Sequence, residues 1–333
     1  MKSLDFGRYV LGGFAVAAML AGCGGSQPPI SAPGAMPQSR AIATPAKHGG
    51  SWMLPEAKSE DLLYVVMSRG GIDVLSYPGY QKVGELWSDR EDFGPITSNP
   101  INGNILINVG ATVYEYAHGG KQPIAEIAPQ ESRGTAVDYA FDPTTDNIAI
   151  SFQQPGGGGM VDIFETPSGD PTTYSAPNIA YPAFLGYDNE GNLFVQGRSS
   201  PNGSWVFAEL PKNGSAFADI TLNETLSYMG TVQWDGTYIT IASGNTIYQV
   251  QVSGSNGTIV GTTSLTRAWT RHPLFWIQGD TVIGDYVSAN HEHNGRSLGL
   301  WNYPAGGKAV KVITGLSDSK KDRVASEAVS IAP

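Results

Sequence analysis

A pair of strand-like runs recurs between residues 61 and 333 at steps of about 42 to 45 residues, and this period limits the folds open to the chain more than any other feature. One member of each pair alternates apolar and polar positions and usually stops at Pro or Gly. It occurs at 73–79, 112–118, 161–167, 206–211, 246–251 and 298–304. Such alternation is what a half-buried strand requires. The other member lies upstream, at 62–66, 104–108, 147–151, 192–196, 237–241 and 281–285. Several of these follow turn dipeptides such as Asn102-Gly103, Glu190-Gly191 and Asp235-Gly236. Asn-Gly and Asp-Gly between apolar runs mark hairpins, because those residues accept the positive φ of a tight turn.

A further apolar stretch precedes each turn, at 95–99, 136–141, 183–187, 230–234 and 274–277. That makes five stretches against six upstream runs, and the missing partner is expected at 324–331, near the other end of the sequence. Pairing 324–331 with 62–66 closes a ring and leaves no free edge there. The expected fold is therefore all-β: a six-bladed β-propeller of four-stranded blades over residues 61–333, closed by its last strand. Abundant turn formers, with 42 Gly and 22 Pro, suit many short strands joined by tight turns.

The Gly191-Asn-Leu-Phe-Val195 segment, followed by a strand ending in Pro, resembles NHL-type and YVTN-type propeller repeats, and Leu63-Tyr64-Val65-Val66 fits the same scheme. The resemblance implies architecture rather than activity, since such propellers include enzymes, sensors and scaffolds. The SMP-30-like lactone hydrolases are a related propeller family, and likeness to them would imply a central divalent metal held by Glu, Asn and Asp of the inner strands. Here those strands offer Asp138, Asp188 and Asp235, with Asn99 and Glu327, in no order that matches that family.

Residues 1–22 read as an export signal. Lys2 and Arg8 precede an uncharged apolar run from Tyr9 to Ala21, too short to span a bilayer. The run ends in Leu20-Ala21-Gly22-Cys23, which resembles the lipobox of bacterial lipoproteins and implies lipidation of Cys23. Cys23 is the only cysteine, so no intramolecular disulfide and no cysteine-based metal cluster can form. Residues 23–60 are rich in Pro, Ser, Ala and Gly without a sustained apolar period, as expected of a flexible tether. The expected location is outside the cytoplasm, with the lipid holding the chain to a membrane of the cell envelope. Net charge is −10, and about −11 without residues 1–22, which disfavours nucleic acid and anionic lipid headgroups as partners.

Functional residues are expected in long loops on a rigid scaffold. The candidate ligand-binding face comprises Arg69, Arg133, Arg198, Trp269, Arg271, His272 and Arg296, an Arg and aromatic set suited to an anionic or sugar-like ligand. The alternative is that these are separate solvated loop residues. His291 and His293 flank Glu292 at the i, i+2 spacing that lets two imidazoles of an extended segment reach one metal, with His272, Glu292 or Asp285 as third ligand. The bland reading is a polar loop tip. The Gly156–Gly159 run lacks the Lys-Ser/Thr of a phosphate loop, and no Gly-x-Ser-x-Gly elbow appears. The leading expectation is a non-catalytic module that needs no cofactor and binds a small molecule, a glycan or an envelope protein. A metal-dependent hydrolase working in the central channel, with a divalent metal as cofactor, is the second. A structural scaffold in an envelope complex is the third.

Overall fold

The computed structural model describes residues 50–68, 71–86, 93–110, 112–127, 134–154, 157–228, 230–268, 274–288, 297–316 and 323–333. Cys23 and the segments predicted as signal and most of the tether lie outside these residues.

Six antiparallel meanders follow one another along the chain, and each presents one strand at the inner end of its sheet. The inner strands are Val324–Ser330, Phe93–Ser98, Thr135–Phe141, Tyr181–Tyr187, Val232–Trp234 and Phe275–Gln278, in blade order one to six. The first blade is completed by the last strand of the chain. Val324–Ser330 pairs antiparallel with Leu62–Met67 in the register Leu62↔Ser330 to Met67↔Val324. The expected closure is thus present, and it covers an inner edge that would otherwise offer a row of unpaired N–H and C=O groups.

Alternation along each strand sends side chains toward the two neighbouring blades in turn. The consequence is six apolar clusters, one at each blade junction. Tyr64, Val66 and Ala328 meet Ile96, Ile105 and Ile107 between blades one and two, while Leu63, Val65 and Val329 meet Ile283 and Leu298 between blades one and six. The other four junctions are built alike, for example Leu106 against Tyr139 and Ile150, or Phe194 against Val232 and Ile241. Trp301 is fully buried at the junction of blades five and six, where its Nε1 donates to the Thr266 carbonyl at 3.2 Å.

The hairpin turns between first and second strands behave as their dipeptides imply. Gly103 and Gly191 have φ of 72° and 88°, a region costly for residues with a Cβ. Asp188 accepts from the backbone of Glu190 and Asn192 and from the Asn192 side chain, and Asp235 accepts from Thr237 and Tyr238 N–H, Gln249 and Tyr303. These carboxylates organise their own turns.

The boundary expected at residue 60 falls earlier. Trp52–Met53 pairs with Glu85 and Gly84 on the outer strand of blade one, and Pro55–Lys58 forms a 3-10 turn that buries Ala57. The apolar Trp52, Met53 and Leu54 supply what the Pro-rich composition around them conceals: side chains able to cover a sheet edge.

Candidate functional site

The inner strands enclose a central cavity of about 570 Å³, and all six contribute to its wall. Two successive levels of this wall can be compared around the ring. At one level sit the residues that pack back against the preceding blade: Ile96, Tyr139, Leu185, Val232 and Phe275, each in the cluster shared with that blade. Glu327 holds this position on the closing strand, two residues before Val329, which faces blade six. Five blades therefore place an apolar or aromatic side chain where the closing strand places a carboxylate.

The level one residue earlier alternates in chemistry around the ring: Ser326, Pro95, Asp138, Phe184, Thr231 and Leu274, all on the cavity wall. The three polar members each accept a hydrogen bond from the inner strand of the following blade. Ser326 Oγ accepts from Ile96 N at 2.7 Å, Asp138 Oδ2 from Leu185 N at 2.8 Å and Thr231 Oγ1 from Phe275 N at 3.1 Å. Gln233 reinforces the last of these junctions, accepting from Ile277 N at 2.8 Å and donating to Ile277 O at 2.9 Å. These bonds satisfy backbone donors on an inner edge that has no further strand to pair with.

Burial governs the acids of this wall. Asp138 keeps partial contact with channel solvent yet lies deep among protein atoms, and that desolvation raises its carboxyl to about 7 despite the N–H groups of Leu185 and Tyr139. Glu327 is 5 % exposed, and neither of its carboxylate oxygens has a hydrogen-bond partner. Desolvation, and then the nearby charge of Asp285, push its carboxyl well above the usual range. Asp285 ends the second strand of blade six. Its Oδ1 is likewise unpartnered, and burial raises its carboxyl to about 7 although Arg323 and the Tyr286 N–H oppose the rise. Tyr139 adds a buried hydroxyl without a partner. Aromatic faces of Phe184, Trp234, Phe275 and Trp276 complete much of the remaining wall.

Of the loop residues expected to form a ligand-binding face, Arg198 alone lies among the described residues. Its guanidinium lies 4.0 Å from the Trp205 ring centre, and Nη1 donates to the Pro201 carbonyl at 2.9 Å, so it is held to its own loop. Arg69, Arg133, Trp269, Arg271, His272 and Arg296 lie outside the described residues, as do His291 and His293 of the metal hypothesis. Among the described residues no group of three or more His, Cys, Asp or Glu converges as a metal site requires. Asp188 and Asp235 are committed to their turns and Asp138 to Leu185, so these residues do not fit the metal centre that the lactonase resemblance would imply. His118 is structural, with Nδ1 2.6 Å from Ser330 Oγ and Nε2 3.0 Å from the Glu60 carbonyl.

The sequence names Glu327 and Asp138 only as inner-strand acids that the lactonase resemblance would set around a metal. The signal was present in the register: aligning the six inner strands puts Glu327 in a column of apolar residues.

The architecture defines the chain as a β-propeller, and solved structures agree. It is similar to a chain of the nidogen/laminin complex, with a TM-score of 0.63 at 10 % identity, covering 82 % of this chain and 99 % of that one. A protein of unknown function from Bacteroides caccae gives 0.56 at 12 % identity over 82 % and 99 %. The β-propeller domain of Cps50 (Swd1) from Myceliophthora thermophila gives 0.51 at 12 % identity over 80 % and 86 %. No family model and no curated protein matches the sequence.

Proposed function

We infer that this chain is an exported, lipid-anchored propeller that works as a binding module, taking a small ligand into its central channel. The observation that carries the reading is the cavity of about 570 Å³ lined by all six blades, with the buried and unpartnered Glu327 in its wall. A volume of this size suits a small organic ligand, and concave, largely apolar walls with few polar groups are the usual form of such sites. An unpaired buried carboxylate costs stability, and a ligand that satisfies it offsets that cost on binding. Export and anchoring rest on the lipobox-like Leu20-Ala21-Gly22-Cys23 and the preceding apolar run.

Ligand-observed NMR of the full chain in detergent tests the module. The library contains small amines, organic acids, sugars and peptidoglycan fragments. At least one class should bind and should lose binding when the channel is filled by Leu274→Trp, a residue on the cavity wall. The absence of any channel-dependent binder overturns the reading. For the anchor, wild-type protein made in a bacterial host should incorporate labelled palmitate and float with membranes, and Cys23→Ala should do neither.

A further inference from the structure

We propose that the central channel recognises an organic ammonium ion, its charged nitrogen seated at Glu327, with the neighbouring charge of Asp285 behind it, and its hydrocarbon body against the aromatic wall. This rests on the channel being the binding site and specifies what it takes.

Three buried carboxylate oxygens, both of Glu327 and one of Asp285, lack a donor at the junction of blades six and one. The two carboxyls repel each other when both are charged. A cation at Glu327 supplies donors to its two oxygens and offsets the repulsion from Asp285 in one step. At the level of Glu327 the other blades contribute Ile96, Tyr139, Leu185, Val232 and Phe275. Hydrocarbon of that kind cannot complete the six or more oxygen ligands that calcium or magnesium demands. The apolar body of an amine fits the cavity wall instead, where Phe184, Trp234 and Trp276 line the channel and aromatic faces attract a cation. An anionic ligand would meet Glu327 on blade one and Asp138 on blade three, with no described cationic side chain lining the cavity. The Tyr139 hydroxyl is a second unpartnered polar group available to a ligand's own oxygen or nitrogen.

Charge balance gives the proposal a distinctive signature. Desolvation raises both carboxyls of the Glu327–Asp285 pair, and the Asp285 charge raises Glu327 further, so the pair favours holding a proton. An incoming ammonium carries one positive charge and favours the fully ionised pair, so the proton leaves to buffer. The charged and titratable groups around the pair are Arg323, which opposes the rise at Asp285, and Asp138 and Tyr139 elsewhere on the wall.

Calorimetry on the full chain in detergent tests this with benzylamine and 2-phenylethylamine, against benzyl alcohol, 3-phenylpropionate and calcium chloride. The amines should bind at least tenfold more tightly than the alcohol, and the carboxylate and calcium should not bind. Titrations in buffers of different ionisation enthalpy should show proton release approaching one per amine bound. Glu327→Gln, which keeps the side-chain volume, should weaken the amines at least tenfold, and Asp285→Asn should reduce the proton release. Near-ultraviolet circular dichroism of each variant establishes that it is folded. Equal binding of amine and alcohol, amine binding without proton release, or amine affinity unchanged in a folded Glu327→Gln variant each overturn the ammonium proposal while leaving the channel reading intact. Loss of every ligand class in the channel-dependent NMR experiment overturns both.

Discussion

The raised carboxyl of Asp138 predicts an unusual dependence of stability on pH. Its value in the folded chain is about 7 against an ordinary 3.8. The folded state therefore holds the proton more tightly than the unfolded state does. This stabilising contribution is fully present below pH 3.8, declines from there, and is lost as pH rises through about 7. Between pH 5 and pH 8 the loss from this one group amounts to roughly 2–3 kcal/mol, because each tenfold difference in proton affinity between the two states is worth about 1.36 kcal/mol. Asp138→Asn isolates the effect, since the amide oxygen still accepts from Leu185 N while the titration disappears. Glu327 and Asp285 carry the same sign, so the informative quantity is the difference between variant and wild type. Urea unfolding followed by tryptophan fluorescence at pH 5, 6, 7 and 8 measures it. The wild type should lose roughly 2–3 kcal/mol more than Asp138→Asn over that range. Parallel curves for the two proteins would refute the claim that this carboxyl is held protonated by burial.

Other perturbations probe the ring directly. Ser326→Ala removes the 2.7 Å acceptor of Ile96 N at a buried site, and denaturant unfolding should register a loss of about 1–3 kcal/mol. Gly186→Ala would bring a Cβ to 2.8 Å from the carbonyl carbon of Val232, forcing blades four and five apart. Its expected cost is about 1–3 kcal/mol, read from the same unfolding curves. Deleting residues 324–333 strips Leu62–Met67 of its inner partner, and scanning calorimetry should then show no single cooperative transition.

The blades were legible because their signals are local. A tight turn needs Gly at positive φ, and Asn102-Gly103 lies where the structure turns. Alternation marks a half-buried strand whatever its partner, so the second and third strands were placed within three residues at either end. The second strand of blade three was expected at 147–151 and observed at Ile148–Gln153. Closure was legible by counting, since six second strands require six first strands. What did not show is set by neighbours distant in sequence. Trp52–Met53 is a strand because Gly84 and Glu85 have an open edge, and two residues carry no period of their own. The roles of Glu327 and Asp138 depend on which blade each side chain faces, a matter of register across the ring rather than of residue type. Arg198 illustrates the converse: an arginine in a long loop reads as an invitation to ligand, but a Trp205 seven residues away engages it first.

The alternation of Ser326, Pro95, Asp138, Phe184, Thr231 and Leu274 sets which neighbouring inner strands are bridged by a side chain. Polar acceptors stitch blade one to two, three to four and five to six across their inner strands. Pro95, Phe184 and Leu274 have no side-chain acceptor to offer, so at this level the junctions two to three, four to five and six to one meet through hydrocarbon. The junction of blades four and five is joined instead at the outer rim, where Thr221 and Leu222 pair in parallel with Asn256 and Gly257. Glu327 sits at a junction without such a stitch at this level, between blades six and one, beside the closing strand's Val329.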